Sequence, residues 1–397
     1  GSSWQLARTH SSSRHPLASE EQAAMGACGC CLASAIDPKE AQGQVSQEAP
    51  EILVEGEEFL FAFAYTRDQV YFTSLRILIK NKKGIMGDSV AWQTIPYHAV
   101  KAFSVETAGS LDPSLEMRIW ASGISNGEFD SDGMNSPSYD VSFKSDDGKV
   151  DVFALQTLLN WKVFNPDGPK VEVPPNPQAM GEQSSSFMDL VCGDAKAIDP
   201  KIVERQLRCD PPVLLGDEEV DMAFRCGRDT TCLTSRRWLR IDVKGMTGKK
   251  VEYVSLPWGS VVAFAVETPG MFLDRDCEIS LFNTISHIDE HQFAVDLRNS
   301  STDIMAIQRY LSDKLLGQDT APPSEHAQPR AGQEDQGGGW QAWLAGNSRQ
   351  IDAAEAERKF KQDVPLLQGC ETCEMAFKGA RDMVLFTTKR LITVDAQ

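Results

Sequence analysis

The 397-residue chain carries 39 basic and 57 acidic side chains, a formal charge of −18 at neutral pH, with 41% hydrophobic and 24% charged residues. This is the composition of a globular protein of two or three domains, and its acidic balance excludes a nucleic-acid binder and adsorption to anionic lipid by charge alone. No run approaches 18 apolar residues, and the ten cysteines form no evident disulfide framework, so neither a membrane-spanning helix nor an oxidising compartment is expected.

Residues 1–34 read as a flexible leader. The first 24 are polar, contain no Met and hold no signal-peptide core. Met25 opens the stretch "MGACGCC". Were translation to begin there, Gly26 would become the amino terminus and accept myristate, with Cys28, Cys30 and Cys31 open to palmitate. One myristoyl chain holds a protein at a membrane only marginally, so the second signal matters. The myristoylation pattern prefers Ser or Thr where Cys30 stands. Were residues 1–24 native instead, the stretch would be an oxidisable loop.

From residue 35 onward the sequence repeats itself. "YFTSLRILI" (71–79) matches "CLTSRRWLR" (232–240) and "LFTTKRLIT" (385–393), and "IPYHAVKAFSVETAG" (95–109) matches "LPWGSVVAFAVETPG" (256–270). Pro96 and Pro257 stand 161 residues apart, as do Glu106 and Glu267; Arg237 and Arg390 stand 153 apart. "SAIDP" (34–38) is in phase with "KAIDP" (196–200). The spacing predicts unit 1 over 35–164, a linker over 165–186, unit 2 over 187–317, a linker over 318–339 and unit 3 over 340–397, the last expected to be cut short. Both linkers are rich in Pro, Gly and Gln, and unit 1 has ten extra residues in a Gly/Ser/Asp-rich loop within 121–140.

Within each unit the period is two, as in "LRIDV" (239–243), where Leu239, Ile241 and Val243 alternate with Arg240 and Asp242. It then shifts to a helical period in "DVFALQTLLNW" (151–161) and "DIMAIQRYLSDKLLG" (303–317). Ile304, Ile307, Leu311 and Leu315 fall on one helical face, with Asp303 as N-cap and Gly317 as the stop. Each unit therefore reads as six or seven strands closed by one amphipathic helix.

The block "TSRRWLRIDVKGMTGKKVEYVSLPWGSVVAFAVETPG" (234–270) resembles the bacterial pleckstrin-homology-like domain family. Unit 1 departs from it at the turn, with "GIMGDSVAW" (84–92) where unit 2 has "GMTGKKVEY" (245–253). The resemblance implies a mainly β fold of tandem two-sheet barrels, each of about seven strands with a carboxy-terminal helix. It also implies scaffolding rather than catalysis. Fold alone does not fix function.

Candidate sites follow from the turns. Lys80, Lys82 and Lys83 in one unit, and Lys244, Lys249 and Lys250 in the next, could hold a phosphorylated lipid headgroup by charge-assisted hydrogen bonds; the bland reading is solvated turns. The basic first hairpin of lipid-binding relatives is missing, with Arg67 and Arg228 nearly alone there. Arg76, Arg237 and Arg390 recur at one position, as do Glu106 and Glu267, and a structural Arg–Glu pair between neighbouring strands is expected. "GMTGKK" lacks phosphate-loop spacing, "HIDEH" (287–291) lacks the order of a zinc helix, and "CETC" (370–373) has no second cysteine pair. No catalytic constellation and no cofactor are expected. The leading reading is a cytosolic adaptor of tandem units binding a protein of unnamed identity, with a membrane (through the acyl anchor) or a second copy of the chain as further partners. The alternative is a sensor of lipid headgroups.

Overall fold

The computed structural model describes residues 32–65, 68–83, 89–109, 112–121, 138–143, 150–165, 196–209, 211–244, 250–268, 277–283, 285, 294–297, 303–317, 349–379 and 382–395. Unit 1 runs β1 (Ser34–Ile36), α1 (Pro38–Glu48), β2 (Phe59–Ala64), β3 (Gln69–Thr73), β4 (Arg76–Lys83), β5 (Ser89–Pro96), β6 (Val100–Glu106), β7 (Leu115–Ala121), β8 (Ser138–Phe143) and α2 (Val152–Phe164). Unit 2 repeats the order with β9 (Lys196–Ile198), α3 (Pro200–Cys209), β10 (Val220–Cys226), β11 (Asp229–Thr234), β12 (Arg237–Lys244), β13 (Lys250–Pro257), β14 (Val261–Glu267), β15 (Cys277–Asn283), β16 (Ala294–Leu297) and α4 (Ile304–Leu316). Unit 3 presents β17 (Arg349–Ile351), α5 (Ala353–Gln362), β18 (Cys373–Lys378), β19 (Asp382–Thr387) and β20 (Leu391–Asp395).

Among the described residues the named strands pair antiparallel, and within a unit each pairs with the strand next to it in the chain. The closing helices begin where an Asp side chain accepts from two backbone N–H groups of the first turn, at Asp151 and Asp303. Gly317 stops α4 in the left-handed region, at φ 86°, as the sequence predicts. The leading helices α1 and α5 use the same device at Asp37 and Asp352. These short helices and the three-residue strands before them go beyond the expected six or seven strands and one helix. The phased "IDP" and "IDA" runs, an N-cap Asp before a helix start, were their signal.

The fold is mainly β, but the expected barrels are not closed. The backbone ladder of unit 1 stops at β5, and β6–β8 belong to a second sheet. The reason lies between the units. Strand β6 pairs not with β5 but with β13 of unit 2, in the register Glu106↔Glu252, Val105↔Tyr253, Ser104↔Val254 and Phe103↔Ser255. One eight-stranded sheet, ordered β8-β7-β6-β13-β12-β11-β10-β9, therefore spans both units.

The cores follow this fusion. One face of unit 2's first sheet, with Phe224, Leu233, Trp238 and Leu256, packs on Ile304, Ile307 and Leu311 of its own closing helix. The other face, with Cys232, Leu239, Ile241 and Tyr253, shares a single core with Phe153, Leu155 and Leu159 of α2. In unit 1 the corresponding outer face, with Phe59, Tyr71 and Leu78, is covered by Ala41 and Val45 of α1 and is edged by the partly buried Trp92.

Candidate interaction site

Each unit is held by one buried constellation of the same chemistry. Glu57, Glu218 and Glu371 are fully buried, and each takes Arg76, Arg237 or Arg390 in a two-pronged pair, Nε to Oε1 at 2.9, 2.9 and 3.0 Å and Nη2 to Oε2 at 2.9, 3.0 and 3.1 Å. Thr73, Thr234 and Thr387 donate to the same carboxylates at 2.7, 2.8 and 2.7 Å. Their hydroxyls in turn accept the backbone N–H of the arginine. Burial pushes the Glu57 carboxyl up, but hydrogen bonds from Arg76, Val54 and Thr73 and the Arg76 charge outweigh it and hold it below the ordinary carboxylate range. The expected pairing of these arginines with Glu106 and Glu267 is overturned. Glu106 lies on β6 against the next unit, whereas Glu57 sits just before β2, beside the start of β4. The constant Glu…Thr…Arg spacing in three copies was the missed signal.

In units 2 and 3 the free corner of the guanidinium reaches the closing helix of the unit before it. Arg237 Nη1 donates to Asn160 Oδ1 on α2 at 2.6 Å and to Ser255 Oγ at 2.8 Å. Asn160 Nδ2 donates to the Val213 carbonyl at 2.8 Å, and Arg237 Nη2 reaches that carbonyl at 2.7 Å. Arg390 Nη1 donates to Ser312 Oγ on α4 at 3.1 Å, and Gln308 Nε2 reaches the Leu366 carbonyl at 3.1 Å. A closing helix thus presents an amide or hydroxyl to the arginine of the following unit, twice over. Arg76 has Thr94 Oγ1 at 3.0 Å in that place, from its own unit.

The candidate lysines are arranged otherwise than anion binding needs. Lys244 bridges Glu106 at 2.7 Å and Glu252 at 2.8 Å, two carboxylates that face each other across the β6–β13 ladder. Lys250 contacts Glu106, Asp112 (2.6 Å) and Glu116 (3.6 Å). Lys80 is buried against Glu48 and lies 5.5 Å from the centre of the Trp92 ring. Lys82 is exposed. Lys249, the Lys83 side chain, Arg67, the "HIDEH" run, and Gly26, Cys28, Cys30 and Cys31 lie outside the described residues. Burial pushes the Glu252 carboxyl up, yet the Lys244 charge, hydrogen bonds from Lys244 and Ser104 and the Arg118 charge bring it below its ordinary value. Burial and the Asp112 charge hold Glu116 above its own. A cleft of about 40 Å³ beside these lysines is lined by Glu106, Glu116, Asp140 and Glu252 against Arg118 and Lys244. It is acidic and well below the several hundred Å³ of a small-molecule pocket.

Among the described residues no helix is long and apolar enough to cross a membrane, and no three His, Cys, Asp or Glu side chains are grouped as metal ligands would be. Cys232 is buried, which pushes its thiol up to about 12. Cys373 is buried too, and burial followed by the Glu357 charge raises its thiol.

The model of the bacterial PH domain matches residues 31–163 and again 186–315. The chain belongs to the bacterial PH-domain family. It is similar to two uncharacterized Bacillus subtilis proteins, YjqA (37% identical over 108 residues, 27% of this chain and 78% of that protein) and YozO (32% over 103 residues, 26% and 83%). Among solved structures it is similar to a DUF1696-family protein with a pleckstrin-homology domain from Shewanella loihica (26% identical, TM-score 0.27, covering 34% of this chain and 98% of that one). It is also similar to a pleckstrin homology domain from Shewanella amazonensis (34% identical, TM-score 0.26, 33% and 99%).

Proposed function

We propose that the chain is a non-enzymatic adaptor, a rigid series of PH-like units that engages protein partners through its sheet edges and the faces beside its helices. The observation that carries this reading is the state of the turn lysines: Lys80, Lys244 and Lys250 already face carboxylates, and the cleft beside them is acidic. A phosphorylated headgroup there would have to displace Glu106 or Glu252 and leave a buried carboxylate unpaired, a cost of several kcal/mol. Where translation begins at Met25, acyl groups on Gly26 and on Cys28, Cys30 and Cys31 hold the adaptor at the cytosolic face of a membrane. Liposome flotation tests the reading. Phosphatidylcholine vesicles with and without 5% phosphoinositide should recover the unacylated chain equally poorly. Recovery that rises with phosphoinositide and falls with Lys82→Ala would replace the adaptor by a headgroup sensor.

A further inference from the structure

The two junctions between units are built from the same parts, and unit 1 carries the receiving half of a third. In unit 2 the receiving face consists of the arginine, the loop carbonyl beside it and the outer face of the first sheet. Val213, Leu214 and Tyr253 on that face are buried beneath α2, with Phe153 meeting the Tyr253 ring edge-on at 5.6 Å and Phe164 lying 5.2 Å from the Arg237 guanidinium. The helix therefore lies along the sheet with its amino-terminal end at Tyr253 and its carboxy-terminal end at Arg237. In unit 3, Leu367 is 6% exposed and Arg390 takes Ser312 of α4.

In unit 1 the same positions are Ile52, Leu53 and Trp92, all only partly buried, beside Val54 at 51% and Leu75 at 49% exposure. Arg76, held by Glu57, the Ile52 carbonyl and Thr94, differs from Arg237 and Arg390 in its free corner: Thr94 of its own unit stands there in place of Asn160 or Ser312 from a preceding closing helix. Among the described residues strand β5 pairs with β4 alone, whereas its counterpart β13 has a neighbour on both sides. The far end of the face differs in charge: Lys80 and Lys82 stand where unit 2 has Ile241 and Val243.

Resting on the adaptor reading, we propose that this face of unit 1 receives an amphipathic helix of the closing-helix type from a partner protein other than a second copy of this chain. The helix would lie with an acidic amino-terminal end toward Lys82 and an amide or hydroxyl near its carboxy-terminal end toward Arg76. The same interface built twice within the chain argues for the occupant. So does its charge: both closing helices already begin at an aspartate, Asp151 and Asp303. A protein that presents such a helix would extend the series by one unit.

The probe is a fluorescein-labelled peptide of residues 303–317, held helical by an i,i+4 side-chain staple on its polar face because an isolated 15-residue helix is marginal. Fluorescence anisotropy against the full chain should show saturable binding at one peptide per chain. Leu75→Asp and Lys82→Glu, both at exposed positions that the fold tolerates, should each weaken binding at least tenfold. Arg76→Lys, which keeps the charge but loses the fork, should weaken it less than either. Absence of saturable binding, or binding that neither exposed substitution alters, overturns the proposal. So does a dimer in sedimentation velocity that Leu75→Asp abolishes, because a second copy then occupies the face. Flotation decides the adaptor reading separately, so failure of one is distinguishable from failure of the other.

Discussion

Strand β13 is buried at seven of its eight positions, whereas β5, at the same place in unit 1, is buried at one. Both have a similar ladder to the preceding strand and the same Pro at the end. What separates them is a neighbour: β13 lies between β12 and β6 under helix α2, and among the described residues β5 has β4 alone. Burial in this protein is thus a property of position in the series more than of the unit, and a unit's local sequence follows its position. Apolar Ile241 and Val243 are buried in the core shared with α2, whereas at the same places Lys80 is buried against Glu48 of α1 and Lys82 is exposed. Unit 1 thus differs from unit 2 in composition as well as in geometry at these positions.

The two units should differ most at their arginines. Arg237→Ala strips the buried Glu218 of its partner and removes the tie to Asn160, and it should cost about 3–5 kcal/mol. Arg76→Ala, at a more accessible pair with no helix above it, should cost about 1–2 kcal/mol less. Hydrogen exchange resolved by unit would read both, and equal losses in units 1 and 2 would dissolve the distinction. Next in size is Asn160→Ala, which leaves the Val213 carbonyl and one arm of Arg237 without the carboxamide. A loss of about 1–3 kcal/mol is expected, confined to unit 2's leading loop and β12, against about 0.5–1.5 kcal/mol at the second junction for Ser312→Ala.

Acid should loosen the first junction. Glu252 titrates below its unfolded value, so its contribution is complete above that value, near 4.5, and is lost as the pH falls through the folded one. Glu116, shifted upward, opposes this, because its ionised form is disfavoured by the fold and protonation relieves it. Net loosening on acidification is expected from the buried Glu252 and from Glu57 in unit 1, which is shifted in the same direction. Urea midpoints followed from pH 7 down to about pH 3, below the unfolded carboxylate value, should fall more steeply in the parent than in Glu252→Gln. Parallel curves would remove Glu252 from the account. The smallest effect belongs to Leu75→Arg, which copies the Arg236 of unit 2 onto the open face and should shift stability by no more than about 0.5 kcal/mol.

Much of this was legible in the sequence, because repetition exposes what each copy keeps. The strand runs 229–234, 237–244 and 261–267 and the helices 152–164 and 304–316 lie where periodicity and Asp caps place them. The recurrent arginine was also visible, but its partner was misread. Cross-strand logic favoured Glu106, while the fold brings in a glutamate from a loop, and no local period reports a loop. Least legible was the junction. Nothing in "VKAFSVE" (100–106) tells whether that strand will pair within its own unit or with the next one, since both choices bury the same side chains. The partners of two lysines were hidden for a related reason: Glu106 and Asp112, which Lys244 and Lys250 reach, belong to another unit, 138 residues away in the case of Lys244 and Glu106.

The shared sheet also sets an order in time. Ser104 and its partner Glu252 are separated by 148 residues, so at roughly 5–20 residues per second a ribosome needs about 7–30 s to deliver the second after the first. For that interval the β6 edge stands bare on a nascent chain, joined by the apolar face of α2 once residues 152–164 have been made. Slow translation or a pause between the two units would lengthen the period in which another strand can seize that edge. The synthesis rate, which leaves the finished fold untouched, would then govern how much of the chain reaches it.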